Sequence, residues 1–222
     1  MINIAIDGPA GAGKSTIARA VAKKLGYIYV DTGALYRAVG LKFSRQGVDT
    51  SLKCDIEGIL KTTDVDIAFV GDEQRVFLDK TDVSGEIRTP EASMMASAVS
   101  AVPVVRAFLL ELQRKMAREN NVIMDGRDIG TVILPNAQVK IFLTASAEER
   151  ANRRFIELQE KGIETTFEEV LEDMKVRDYN DSHREIAPLK PAEDSTVVDT
   201  TGLTLEESKA AILKVIEEKT GA

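Results

Sequence analysis

The chain has 222 residues, of which 44% are hydrophobic and 29% charged, a composition that excludes disordered, collagen-like and coiled-coil classes and predicts one globular domain over residues 1–222. Its 36 acidic and 29 basic residues give a net charge of −7, which disfavours a nucleic acid polymer as partner but allows a small polyanion held by grouped arginines. Because the sequence has no membrane-length apolar run, no signal peptide pattern and a single cysteine, Cys54, we expect a cytoplasmic protein that binds no membrane.

Apolar strand segments alternate with helical segments along the chain. A first strand is predicted over 2–6, followed by a glycine-rich loop at 8–13 and a helix over 17–25. Further strands are predicted over 27–30, 122–124 and 139–143, and further helices near 33–47, 103–119, 146–161, 166–182 and 204–219. This alternation predicts an α/β fold with a mainly parallel central sheet covered on both faces.

One segment departs from this alternation. Val65, Ile67 and Phe69 alternate with polar residues, the tripeptide 71–73 is a turn signal, and 75–78 returns as a strand. We therefore predict a small antiparallel insertion over 64 to about 88.

Residues 8–15 carry the strongest motif in the sequence. They read GPAGAGKS and match GxxxxGK[ST] between an apolar strand and a helix, the pattern of a P-loop that binds a nucleoside triphosphate. Backbone amides and the helix N-terminus supply positive potential, Lys14 adds a charge, and the Ser15 hydroxyl can bind Mg²⁺. The predicted nucleotide-binding residues are Gly8, Pro9, Ala10, Gly11, Ala12, Gly13, Lys14, Ser15 and Thr16.

A P-loop alone does not separate kinases, switch GTPases and motor ATPases, because they share the fold and differ in the second site. A GTPase needs a guanine-reading NKxD motif, and the nearest string, DKTD at 79–82, lacks the asparagine and lies in the insertion. The GTPase interpretation is therefore disfavoured.

The segment DTGALYR, residues 31–37, follows the second strand directly. We expect Thr32 to be the N-cap of the next helix, with Tyr36 and Arg37 one turn further on, forming a second anion site. Taken alone, the same residues could simply cap a helix whose arginine is solvated.

A third segment, VIMDGRDIG at 122–130, places three charged residues after a buried strand. Asp125 ends that strand, where a carboxylate can orient Mg²⁺ together with Ser15. Arg127 and Asp128 project from the carboxyl end of the strand, where ligand crevices of parallel sheets lie.

Two sets of charged residues lie at helical spacing in the second half of the chain. Each set shares one helix face and could be either a solvated charge ladder or an anion site. The sets are Arg150, Arg153 and Arg154, and Arg177, Asp181 and Arg184.

Together these segments resemble the bacterial-type cytidylate kinases of the nucleoside monophosphate kinase group. The resemblance runs nearly end to end, and the insertion after residue 63 distinguishes this type from adenylate kinases. The matching segments are IDGPAGAGKS, DTGALYR, DVSGEIRTPE (82–91), DGRDIGTVI, KIFLTAS, ERANRR and RDYNDSHREIAPL (177–189).

The resemblance implies a three-layer P-loop NTPase fold with an acceptor-binding subdomain at about 32–119 and a helical lid at about 150–167. It implies an enzyme of pyrimidine nucleotide metabolism, a monomer that transfers phosphate from Mg·ATP to CMP or dCMP. A kinase for UMP, AMP or shikimate and a nucleotide-switched binding protein stay open as alternatives.

The resemblance also implies roles for individual residues. Thr32, Arg37, Arg127 and Arg184 hold the acceptor phosphate, and Arg177 and Asp181 hold the ribose. Ser97, Arg106 and Asp128 read cytosine, and Tyr36 contacts the substrate. The expected catalytic residues are Lys14, Arg127, Asp128 and Arg154, with Arg150 and Arg153 as further lid arginines.

Overall fold

The computed structural model describes residues 1–48, 55–71 and 73–221. Cys54 lies outside these residues. The strands are β1 Asn3–Asp7, β2 Ile28–Asp31, β3 Val65–Val70, β4 Glu73–Leu78, β5 Thr81–Asp82, β6 Val122–Gly126, β7 Val139–Thr144 and β8 Thr196–Asp199. The α-helices are α1 Lys14–Leu25, α2 Thr32–Arg45, α3 Ile56–Lys61, α4 Pro90–Ser100, α5 Pro103–Glu119, α6 Ala147–Glu160, α7 Phe167–His183 and α8 Leu205–Thr220, with a π-helical turn at Ile129–Ile133.

Five strands form the central sheet in the order β2-β6-β1-β7-β8, and all pairings between them are parallel. β1 lies at the centre, and its register with β6 pairs Ile6 with Asp125 and Asp7 with Gly126. The carboxyl ends of these strands therefore meet at one edge, where the P-loop begins. The predicted mainly parallel α/β sheet is confirmed.

Helices cover both faces of the sheet. Successive side chains of a strand point to opposite faces, so neighbouring residues of β1 pack into two different cores. Ile4 and Ile6 pack with residues of α1 and α8. Ala5 packs on the other face in a cluster with Met116 of α5 and Ile129 of the π-helical turn. These two cores make the fold three-layered.

The predicted insertion forms a separate antiparallel sheet, β3-β4-β5. Its buried residues, including Val65, Val76 and Leu78, share a core with α2, α4 and α5. The sequence analysis did not predict α3, α4, β5 or β8, because these elements are short or have a weakly periodic pattern of apolar residues.

α6 and α7 form a helical pair with its own small core of Ala151, Leu158, Val170 and Met174. Local capping sets their beginnings: Ser146 accepts the Glu149 N–H, and Thr166 forms a capping box with Glu169. The predicted lid, 150–167, comprises most of α6 and the connection to α7. Its movement remains a prediction.

Within the described part of the chain, no single helix is long and apolar enough to cross a bilayer. The bent pair Glu91–Ser100 and Pro103–Glu119 meets that length and composition only when its two halves, 99° apart, are taken together.

Candidate active site

The P-loop wraps closely because glycines occupy its tight positions. Gly8 has φ 151°, and an added Cβ would lie 1.9 Å from the main-chain oxygen of Leu143, so only glycine fits. Gly13, with φ 83°, is the N-cap residue of α1 and has no side chain with which to cap the first amides. The first amides of α1 are therefore free to bind an anion.

Lys14 lies buried inside this loop, with 6% of its surface exposed. Its Nζ donates to the Pro9 carbonyl at 2.7 Å. Burial, followed by the nearby charges of Arg127 and Arg177, holds the pKa of Lys14 well below its usual value. A polyphosphate would relieve that repulsion, so the site is electrostatically suited to a multiply charged anion.

Ser15 and Asp125, the two residues predicted to bind Mg²⁺, meet at the amino end of α1. The Ser15 hydroxyl donates to Asp125 Oδ2 at 2.9 Å, and the Tyr29 hydroxyl donates to Oδ1 at 2.8 Å. Burial, and then the charge of Asp31, raise the pKa of Asp125 to about 6. An exposed hydroxyl beside a buried carboxylate is a suitable pair of oxygen ligands for Mg²⁺.

Asp7 is a site residue that the sequence reasoning missed. Its carboxylate accepts the N–H groups of Ile129 and Gly130, both at 2.8 Å. Burial raises its pKa to about 6 despite these two hydrogen bonds. Asp7 thus ties the start of the P-loop to the turn that follows Asp128.

The β2–α2 junction holds Arg37. Asp31, not Thr32, is the N-cap of α2, since its side chain accepts the Ala34 N–H at 3.1 Å. The predicted cap at Thr32 is therefore wrong by one residue; the Thr32 hydroxyl donates instead to the Asp125 carbonyl at 2.8 Å. Arg37 Nη2 donates to Asp31 Oδ2 at 2.8 Å.

A second polar cluster joins α5, the π-helical turn and the end of α7. Asp128 forms a hydrogen-bonded ion pair with Arg106, and its Oδ1 lies 3.5 Å from Arg184 Nη2. Burial raises the pKa of Asp128, and the two arginines oppose that rise. The Arg106 guanidinium also lies 5.9 Å from the centroid of the buried Tyr36 ring.

The charges of Arg127 and Arg177 act on Lys14 of the P-loop, and the charge of Arg127 also acts on Asp128. Arg127 Nε donates to Asp181 Oδ2 at 2.8 Å. Burial, and then the charge of Arg127, lower the pKa of Arg177 to about 10. Among the described residues, Arg37 Nε and Arg177 Nε are buried without a hydrogen-bond acceptor, and Arg184 Nη2 has only its 3.5 Å contact with Asp128. Buried donors are nearly always satisfied, so these guanidinium groups are exceptions that need an explanation.

The three lid arginines differ in their contacts. Arg150 is buried and donates to the carbonyls of Ala145 and Ala10, at 2.9 and 3.0 Å, and to Asp178 at 2.6 Å. Arg153 and Arg154 are half-buried. Arg153 Nη2 bonds the Thr200 carbonyl at 3.0 Å and Glu149 at 3.2 Å, and Arg154 Nη1 donates to Glu157 at 2.8 Å.

A family model described as Cytidylate kinase matches residues 4–218. The cytidylate kinase of Caldicellulosiruptor saccharolyticus is 52% identical over 220 residues, covering 99% of this chain and 97% of the relative. The cytidylate kinase of Carboxydothermus hydrogenoformans is 53% identical over 219 residues, covering 98% of each. The chain belongs to the cytidylate kinase family.

A solved structure supports the fold of this family member but says nothing about its activity. An uncharacterized protein from Eubacterium ventriosum superposes with a TM-score of 0.54 at 14% identity, and 98% of each chain is covered. At this identity the likeness shows the fold alone.

Most of the residues predicted for a cytidylate kinase site come together at the carboxyl edge of the sheet. Ser97 is an exception, because Ser100, one turn later on α4, makes the contacts: its carbonyl accepts from Arg106 and its hydroxyl lies 3.3 Å from Arg184 Nη1. Arg150 is the other exception, since its guanidinium is directed into the protein. The assigned roles of Ser97 and Arg150 remain predictions.

Two of the site residues that the sequence analysis did not name, Asp7 and Asp31, have a local sequence pattern that could have identified them. Asp7 ends an apolar strand directly before the glycine loop, the same position that identified Asp125. Asp31 precedes Thr32 in the motif and is an equally good N-cap residue. Tyr29 and Ser100 have no such local signal, because only tertiary packing brings them to Asp125 and Arg106.

Proposed function

We propose that this chain transfers the γ-phosphoryl group of ATP to CMP or dCMP and forms the corresponding diphosphate. Family membership supports a nucleotide as phosphoryl donor and as acceptor. The observation that carries the proposal is the positive charge gathered beside the P-loop: burial, and then the charges of Arg127 and Arg177, lower the pKa of Lys14, and Arg177 Nε is buried without an acceptor among the described residues. A P-loop for one phosphate chain and a neighbouring group of arginines for a second phosphate would suit a donor and an acceptor.

The acceptor phosphate needs no general base. A phosphate monoester has a second pKa near 6 and is mostly dianionic at pH 7. The protein therefore has to position the two phosphates and neutralise the charge that develops between them. Arg37, Arg127 and Arg184 are suited to hold the acceptor phosphate, and Lys14 and Arg154 to neutralise the transferred group.

Mg²⁺ fits the oxygen pair of Ser15 and Asp125, the residues that would hold it. When bound, Mg²⁺ supplies positive charge to the donor phosphates and helps to orient them. In the described residues, no cluster of three or more histidine, cysteine or carboxylate side chains forms an all-protein metal cage.

Cytosine complements the cluster around Asp128. Its N3 and O2 accept hydrogen bonds and its N4 donates, so Arg106 can donate to the ring and the Asp128 carboxylate can accept from N4. Uracil reverses N3 and the group at position 4 and would leave buried groups unpaired, at about 1–3 kcal/mol for each. We infer a preference for cytidine over uridine monophosphate.

Water competes with CMP as the acceptor of the phosphoryl group. Closure of the α6–α7 segment after both substrates bind would exclude water and bring Arg153 and Arg154 to the phosphates.

The cytoplasmic location and the monomeric state remain predictions.

An acceptor panel tests the proposed function. ADP release is measured with Mg·ATP and each of CMP, dCMP, UMP, AMP and shikimate. We expect turnover with CMP and dCMP at least tenfold above the others. Turnover dominated by AMP or shikimate supports the alternative of another small-molecule kinase. Tight ATP binding with slow hydrolysis that no acceptor stimulates supports a nucleotide-switched binding protein.

A further inference from the structure

Gln74 connects the antiparallel insertion to the edge of the central sheet. It lies on β4, where its Oε1 accepts from the Asp31 N–H at 2.8 Å and its Nε2 donates to the Asp31 carbonyl at 3.3 Å. β2, which ends at Asp31, is an outer strand of the sheet. The Gln74 side-chain amide therefore makes the two hydrogen bonds with the Asp31 main chain that a neighbouring strand would make.

Asp31 in turn fixes Arg37. Its Oδ1 caps α2 at the Ala34 N–H, and its Oδ2 accepts from Arg37 Nη2 at 2.8 Å. An added Cβ at Gly33 would lie 3.1 Å from both Asp31 Oδ1 and Arg37 Nη1, so the ion pair packs against the first turn of α2. A shift of the Asp31 main chain would therefore move the Arg37 guanidinium with it.

The space around Gln74 is not closely packed. A cavity of about 30 Å³ separates the insertion from α1, β2 and α2, enough for about one water molecule. Its lining includes Arg19, Tyr29, Asp31, Arg37, Gln74 and Arg88. The same lining also includes Ala34, Val76 and Ile87, which belong to the core that the insertion shares with α2. The apolar core therefore holds the insertion against α2, and the two hydrogen bonds of Gln74 link β4 specifically to the main chain at the end of β2.

We propose that Gln74 is a positioning residue through which the insertion sets Arg37 for the acceptor phosphate. This inference rests on the proposed function and adds a role for the insertion in it. Gln74 acts on the β2–α2 junction, whereas the donor nucleotide is held by the β1–α1 loop. Its loss should therefore weaken acceptor binding and leave donor binding unchanged.

The test compares Gln74→Met with a neighbouring control. Methionine has a similar length and shape but makes neither hydrogen bond; Gln74→Ala serves if methionine impairs folding. Glu73→Gln is the control, because Glu73 is exposed on the same strand and pairs only with Arg75 at 3.1 Å among the ion pairs of the described residues. We expect the KM for CMP to rise about tenfold in Gln74→Met, from the loss of two neutral hydrogen bonds. The KM for ATP should stay within twofold, and both constants should be unchanged in Glu73→Gln.

A second measurement separates positioning from a general structural effect. If Gln74 acts through Arg37, Gln74→Met should add less than about threefold to the KM for CMP in an Arg37→Lys background. A full tenfold effect in that background, equal rises in both KM values, or a KM for CMP within twofold of wild type would overturn the inference while the proposed function stands. A wild-type enzyme inactive on CMP would instead refute the proposed function and the inference together.

Discussion

Replacing Asp128 by asparagine should change which base the acceptor site prefers. The Asp128 carboxylate is buried between Arg106 and Arg184, in the position proposed to accept a hydrogen bond from cytosine N4. Hydrogen bonds to a charged group contribute about 1.5–3 kcal/mol, so kcat/KM for CMP should fall roughly 10- to 150-fold. For UMP the change should stay within about threefold, because the asparagine amide can donate to uracil O4.

The assay measures kcat/KM for CMP and UMP in both enzymes, and the quantity of interest is the CMP-to-UMP ratio. We expect this ratio to drop at least tenfold. Asp194→Asn is the matched control, since Asp194 is an exposed partner of Lys140. A ratio that is unchanged in Asp128→Asn, with both substrates equally impaired, would refute base reading by this carboxylate.

The same substitution has a cost in stability that must be measured separately. Arg106 and Arg184 have side chains that are 9% and 8% exposed, and the variant removes the charge of the carboxylate that both of them contact. Removing one partner of a buried pair typically costs about 3–5 kcal/mol. The free energy of unfolding is therefore measured for both enzymes by urea titration at the assay temperature, so that the kinetics compare folded enzymes.

Three further predictions concern the donor side of the site. Lys14→Ala should lower kcat at least roughly 100-fold, because it removes a buried charge at the phosphates; near-normal turnover would contradict its role. Arg150→Lys should raise the KM for ATP several-fold, since lysine cannot reproduce the guanidinium contacts to Ala10, Ala145 and Asp178; an unchanged KM for ATP in steady-state kinetics argues against this. Asp7 has a pKa of about 6 folded against 3.8 in the reference state, so its protonation favours the folded state increasingly as pH falls through 6. The unfolding free energy of wild type relative to Asp7→Asn should rise by roughly 2 kcal/mol between pH 7.5 and 4.5 in urea titrations, and a pH-independent difference would show that burial does not raise this pKa.

The parts of the fold that the sequence predicted well are those set by local chemistry. The glycine loop follows from steric limits that only glycine meets, as at Gly8. The bounds of α6 and α7 were predicted to within one residue, because Ser146 and Thr166 cap their own helices. The central strands were found because parallel strands buried on both faces are continuously apolar.

The elements that escaped prediction have weak patterns. β8 has four residues at the edge of the sheet, alternately exposed and half-buried. α4 has an apolar sequence with little helical periodicity, so its pattern does not separate helix from strand. The resemblance implies Ser97 as a base-reading residue, which stays a prediction, whereas the contacts of Ser100 with Arg106 and Arg184 have no local signal in the sequence.

The sequence indicates which polar residues belong to the site, but it does not indicate which residues they bind. Asp7 reaches amides more than a hundred residues away, and Gln74 reaches Asp31 from a different sheet. Pairs of this kind depend on tertiary structure, and no local spacing encodes them. The resemblance to a known family indicates which segments form the site. The structure adds which polar groups in those segments already have hydrogen-bond partners within the protein.

A crystal structure with CMP and a non-hydrolysable ATP analogue would test the two-site arrangement directly. We predict the triphosphate along Gly8–Ser15 and the CMP phosphate on Arg37, Arg127 and Arg184, with the two phosphates in line. Density for the triphosphate alone at saturating CMP, or CMP bound with its phosphate away from these arginines, would contradict the account.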